Sequence, residues 1–189
     1  MKTTTKRAAT KGKGSRVFAE VPLPKVEAVP GLVVVDTGPR LNAQGVQVIR
    51  NFVQRNTEFD DPGQFIDRVA NHDQFRSREH ISRTIKYNLI RRVDGKYVSK
   101  ADHRRVDGTA GQRTGTDEIR AVKRPVLVVR GSASEVFDAH AAAEFVAALP
   151  DGRLVTVPDA NHNVPSSNTV GFLDAVRPFL ADLGWGGKQ

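Results

Sequence analysis

The sequence predicts an α/β protein built on a three-stranded, mainly parallel sheet with flanking helices and a helical insertion. Three observations carry this. The runs "GLVVVDTGP" from Gly31, "RPVLVVRGS" from Arg124 and "GRLVTVPD" from Gly152 are short, apolar and rich in valine. Unbroken runs of this kind, rather than alternating ones, suit strands covered on both faces. Helix-periodic stripes follow the second and third runs, and a strand–helix–strand–helix order implies parallel strands joined by right-handed crossovers.

Composition divides the chain before any element is placed. Residues 1–16, "MKTTTKRAATKGKGSR", hold Lys2, Lys6, Arg7, Lys11, Lys13 and Arg16 and no acid. Almost nothing there can be buried, so a disordered basic tail is expected. It supplies most of the formal net charge of +8. The tail could touch phosphates through counterion release, but nucleic acid is not the expected partner of the fold. Residues 17–30, "VFAEVPLPKVEAVP", read as a proline-broken linker, and 31–189 as the folded part.

Within the folded part, about 40–120 has its own character. Val46, Ile49, Phe52 and Val53 form one helix face, and Phe65, Ile66 and Val69 a second, entered at Pro62. Ile81, Ile85 and Leu89 form a third, capped by Ser77 with Glu79 and His80 in its first turn. "RRVDGKYVSKAD" predicts a hairpin turning at Asp94-Gly95. A mostly helical insertion between two strands of a parallel sheet is the layout of a lid. After the second strand, Phe145, Val146 and Leu149 mark a helix ending at Pro150. Phe172, Leu173, Val176, Phe179, Leu180 and Leu183 mark the last one, with a kink expected at Pro178.

Several function classes fall away. No run approaches the roughly 18 apolar residues of a transmembrane helix, so no membrane span is expected. The basic start is not followed by an apolar stretch, so no secretory signal is expected either. The absence of cysteine excludes disulfides and thiolate chemistry and suits a reducing, cytoplasmic setting. The glycines form no phosphate-binding pattern, and His72, His80, His103 and His140 read as surface groups without metal-ligand context. No cofactor and no metal are expected.

The remaining chemistry lies in "VPDANHNVPSS", where His162 stands on a stiff polar loop past the third strand. Together with "RPVLVVRGSASEVF" and "GLVVVDTGPRLNAQG", this loop makes residues 29–183 resemble the second half of an α/β-hydrolase. In that family the catalytic acid follows the penultimate strand and the histidine follows the last. The resemblance therefore implies a partial α/β-hydrolase fold with His162 as general base. Glu135 matches the family's acid position, although aspartate is commoner there. Asp138, three residues on, is an alternative that more readily caps a helix. Asp36 is another, because some members carry their acid after the earlier strand. Such an imidazole needs a carboxylate to fix its tautomer and stabilise its charged form.

One part of the pattern is missing. The family's nucleophile stands on a G-x-S-x-G elbow upstream of the "LVVVD" strand, and this sequence has no such motif. The resemblance thus implies hydrolysis of an ester or related acyl or C–C bond, on a small-molecule substrate, only if a nucleophile half completes the site. The alternative is a non-catalytic fragment or a binding module using the basic tail and the lid stretch "RSREHISRTIKYNLIRR". Without its usual neighbour, the strand Leu32–Val35 would leave an open sheet edge unless "RVFAEV" (Arg16 to Val21) folds back to take that place. Self-association, a complementing partner or poor solubility is the expected result of an open edge.

Overall fold

The structure, a computed structural model, describes residues 29–101 and 116–185. The basic tail, most of the linker and His103 lie outside the described residues. Three parallel strands, β1 (Leu32–Val35), β5 (Val126–Gly131) and β6 (Gly152–Val157), form the main sheet in the order β1-β5-β6. Val34 lies opposite Val128, which in turn lies opposite Leu154.

β5 is buried along its whole length, and its alternation explains why the apolar run is unbroken. Val126 and Val128 face one side, against Phe137, Ala142 and Leu149, where α5 (Ala139–Ala148) and the short α4 (Thr116–Arg120) cover the sheet. Leu127 and Val129 face the other, against Val157, Val164 and Phe179, under α6 (Val164–Ser167) and α7 (Thr169–Asp182). The other two strands differ from that expectation. β6 exposes Arg153, Leu154 and Thr156, because it is an edge strand and only part of it is covered. Arg153 lies over the Phe179 ring and pairs with Asp182 of α7. β1 is the opposite edge among the described strands. Pro178 sits inside α7, which runs through it as one helix.

The insertion follows its local signals closely. α1 (Ala43–Arg55) is capped by Asn42, α2 (Pro62–His72) by Asp61 with Pro62 at its start, and α3 (Arg78–Asn88) by Ser77. The Asp94-Gly95 turn joins β3 (Leu89–Arg91) to β4 (Tyr97–Ser99), and Gly95 takes the left-handed φ of 87° that the turn requires. Two details escape sequence periodicity. Leu89 opens β3 instead of ending the helix, and a third strand, β2 (Glu58–Phe59), pairs with β4 in a small antiparallel sheet. At two residues, β2 is too short to show a period.

α1 sets where the insertion stands. A Cβ on Gly45 would lie 2.1 Å from the carbonyl oxygen of Glu135, so only glycine lets the helix meet the turn after β5. That contact places the insertion beside the C-terminal ends of the main strands, where functional groups of parallel sheets converge.

Candidate active site

The site is built from the ends of all three main strands. Asp36 directly follows β1, is fully buried, and has a left-handed φ of 49°. That conformation costs energy for a residue with a side chain, though aspartate tolerates it better than most. Its backbone N–H still donates to Val129, at 2.7 Å, so the strand pairing extends through it. A buried carboxylate must be well partnered, and this one is. Oδ1 accepts the Gly131 N–H at 2.8 Å, and Oδ2 accepts the Ser134 hydroxyl and faces His162 Nδ1 at 2.9 Å.

Ser134 does two jobs in the turn after β5. Its hydroxyl donates to Asp36 while its oxygen accepts the N–H groups of Val136 and Phe137, at 3.3 and 3.2 Å. Buried Arg130 braces the same turn through the carbonyl of Phe137 at 2.8 Å. Gly131 allows the histidine loop to close on this turn, since a Cβ there would meet the carbonyl oxygens of Asn161 and Ala160 at 2.3 and 2.6 Å. The Ala133 N–H bonds that Ala160 carbonyl at 2.9 Å.

His162 therefore arrives beside Asp36 from 126 residues away. The carboxylate can only accept, so the neutral ring carries its proton on Nδ1 and leaves Nε2 as the basic nitrogen. The imidazole is 44% exposed, whereas its carboxylate partner is at 0%. A fixed, buried carboxylate thus orients an imidazole that borders open space.

The carboxylate that meets His162 is Asp36, one of the two alternatives to Glu135. Glu135 is exposed, and its side chain makes no hydrogen bond or ion pair among the described residues. The reason is the turn geometry. Ser134 occupies the inward position, α1 lies against the Glu135 backbone, and the Glu135 side chain is left on the wall of the adjoining cavity. Asp138 caps α5, accepting the Ala141 N–H at 2.7 Å. That hydrogen bond above all, helped by the nearby Arg40 charge, holds its carboxyl below the ordinary aspartate value.

Beside His162 lies a cavity of about 510 Å³ between the main sheet and the insertion. Val48, Ile49 and Phe75 give it an apolar wall, and Asp73, Arg76 and Asn161 a polar one. His72 is exposed, as its sequence reading has it, and also lines the cavity, stacking on Phe52 with ring centroids 4.2 Å apart. His140 is on the surface and pairs with Glu144. Among the described residues no group of three or more His, Asp or Glu is placed to hold a metal ion. Nor is any helix there long and apolar enough to cross a membrane.

The basic stretch of the insertion is largely internally paired. Arg78 meets Asp67, Arg83 meets Glu79, and Arg92 and Lys96 share Glu58. These exposed pairs are weak individually, but they leave no uninterrupted cationic face along α3.

The fold has close counterparts among solved structures. An E-2-(acetamidomethylene)succinate hydrolase superposes with a TM-score of 0.71 at 26% identity, over 81% of this chain and 58% of its own. An α/β hydrolase from Novosphingobium aromaticivorans gives 0.64 at 21% identity, over 81% of this chain and 57% of that one. An esterase from Mycobacterium tuberculosis gives 0.64 at 22%, over 82% and 57%. This chain thus spans a little over half the length of each. No family model and no curated protein sequence matches it. Sheet order, insertion and structural neighbours agree, and the chain carries a part of the α/β-hydrolase fold.

Proposed function

We propose that this chain supplies the general base, His162, and its orienting acid, Asp36, to a hydrolase that cleaves an ester or a related acyl or C–C bond. The nucleophile comes from residues outside this sequence, which has no G-x-S-x-G elbow. The observation that carries the reading is the Asp36–His162 hydrogen bond at the wall of the cavity. Nε2, turned from the carboxylate, takes the proton of a serine-type hydroxyl as its oxygen attacks the substrate carbonyl. Asp36 stabilises the imidazolium that results, and the proton then passes to the leaving group. The insertion acts as the lid, its Val48, Ile49 and Phe75 offering apolar surface to an acyl substituent.

The test has two arms with short p-nitrophenyl esters. The 189-residue chain alone is expected to show background hydrolysis only, because nucleophile and oxyanion donors contribute much of such an enzyme's rate. Fused in frame behind the nucleophile-bearing half of a hydrolase of the same fold, it should gain turnover that His162→Ala and Asp36→Ala both abolish. Turnover by the chain alone that His162→Ala removes would refute an external nucleophile. Fusion activity indifferent to His162 would refute the base.

A further inference from the structure

Among the described residues His162 has a single hydrogen bond to its ring, yet it stands on a loop and borders open space. The Ala133 N–H holds the loop at Ala160, before the histidine, and placement errors of about 1 Å can cost a catalytic site some hundredfold in rate. The neighbouring side chain holds the loop beyond it. Asn161 donates from Nδ2 to Asp73 Oδ1 at 2.8 Å, bridging to the insertion across 88 residues. Its Oδ1 accepts the Asn163 N–H and the Ser167 hydroxyl, both at 2.8 Å. The amide's orientation follows from its partners, since the carboxylate can only accept. One side chain therefore ties the residue after His162, the helix α6 beyond it, and the insertion together.

Asp73 is unusual where it stands. It is 3% exposed at the C-terminal cap of α2, the end of a helix that disfavours negative charge. Helix stability alone gives no reason for it. Its Oδ2 accepts Arg76 Nε at 2.6 Å, and its Oδ1 also accepts the Phe75 N–H at 3.2 Å. The buried charge is thus satisfied within the insertion and spends its remaining acceptor on Asn161. Asp73, Arg76, Asn161 and His162 all line the same cavity.

We infer that Asp73 and Asn161 form a latch through which the insertion positions His162, so that both are positioning residues for the base. This rests on the reading of His162 given above. Docking of the insertion and alignment of the imidazole are then one event, and a ligand seated against the insertion reports to the base through a single amide.

The test uses nitrogen-detected NMR of the His162 ring in the intact chain at neutral pH. The wild type should show Nδ1 protonated and its proton slow to exchange. Asn161→Ala and Asp73→Ala should keep cooperative unfolding but exchange that proton about tenfold faster, the effect of losing one hydrogen bond. Asp73→Asn should preserve slow exchange, because an amide oxygen still accepts from Asn161. If Asn161→Ala does not fold, Ser167→Ala loosens the same amide from the solvent side and should speed exchange in the same direction. Exchange unchanged in the folded Ala variants would overturn the latch alone. A wild-type ring without a proton on Nδ1 would overturn the reading of the base, and the latch with it.

Discussion

His162 Nδ1 lies 2.9 Å from Asp36 Oδ2, so the last strand's loop is locked to the end of the first strand, with the Ser134 turn of the middle strand beneath both. All three strands of the main sheet contribute one member to this arrangement. Its consequences for mutation are sharp, because Asp36 has no exposed surface and three partners.

Asp36→Ala should destabilise the chain markedly, while Glu135→Ala should not. The first change strands the buried Gly131 N–H and Ser134 hydroxyl, each costing on the order of 1–3 kcal/mol. The second removes an exposed side chain, and shifts of about 0.5 kcal/mol or less are usual for such positions. Urea unfolding of both variants decides between the two acids independently of activity. Equal stabilities would mean the Asp36 cluster is not formed. In a completed enzyme, Asp36→Asn should lower kcat by about 10³–10⁴, as loss of the correct tautomer does in triad enzymes.

Gly131→Ala tests how the histidine loop is seated. Its new methyl would sit 2.3 Å from the Asn161 carbonyl oxygen, and backbone cannot step aside as a side-chain tip can. The loop must move off the turn, and overpacking of this kind typically costs about 1–3 kcal/mol. The expected signature is a chemical-shift change confined to residues around 131–134 and 157–163, with lower thermal stability. Wild-type stability with unperturbed His162 resonances would contradict the close approach.

Much of this was legible in the sequence, and the exceptions share a cause. The helix starts at Pro62 and behind Ser77, the Asp94-Gly95 turn and the parallel order of the valine runs are local signals, and all appear in the fold. The placement of His162 beside a carboxylate was also readable, but the identity of that carboxylate was not. Glu135 and Asp36 both follow strands, and choosing between them needs the path of the turn after β5. There Ser134, not Glu135, points inward. A hint lay in "VVVDTG", where a carboxylate directly follows an unbroken apolar run. The Asp73–Asn161 bond spans 88 residues, and no periodicity or cap rule reaches that far.

Asp138 gives a pH-dependent prediction. Its carboxyl is held below its ordinary value, chiefly by the Ala141 N–H, so the folded chain binds that proton less readily than the unfolded one. The contribution is therefore fully present above the unfolded value near pH 4 and is lost as pH falls through the lower folded value. Asp138→Ala should cost about 1 kcal/mol at neutral pH, the usual worth of such a cap. The gap between wild type and variant should narrow in acid. A gap that widened as pH dropped below about 4 would show the cap is not ionised.

The last prediction concerns the β1 edge. Leu32 and Asp36 donate their N–H groups to Pro125 and Val129 of the β5 side, at 2.9 and 2.7 Å. By the two-residue period of a strand, Val33 and Val35 turn theirs the other way. Among the described residues no strand receives them. Val33 is 36% exposed, and beside the edge an apolar groove of about 300 Å³ runs between Leu32, Val34, Ile119 and Phe145. An apolar strand with one open edge beside an apolar groove is a template for another chain. The wild type should therefore associate as its concentration rises, measured by size-exclusion chromatography with light scattering. Salt should not disperse it, because no charge pairing is involved. Val33→Pro is the decisive variant. It deletes an outward N–H and adds a ring on the open side, yet removes no bond between β1 and β5. It should elute as a monomer with its secondary structure kept. A wild type that stays monomeric at high concentration would show that the edge is already covered, and association unchanged by Val33→Pro would place the contact elsewhere.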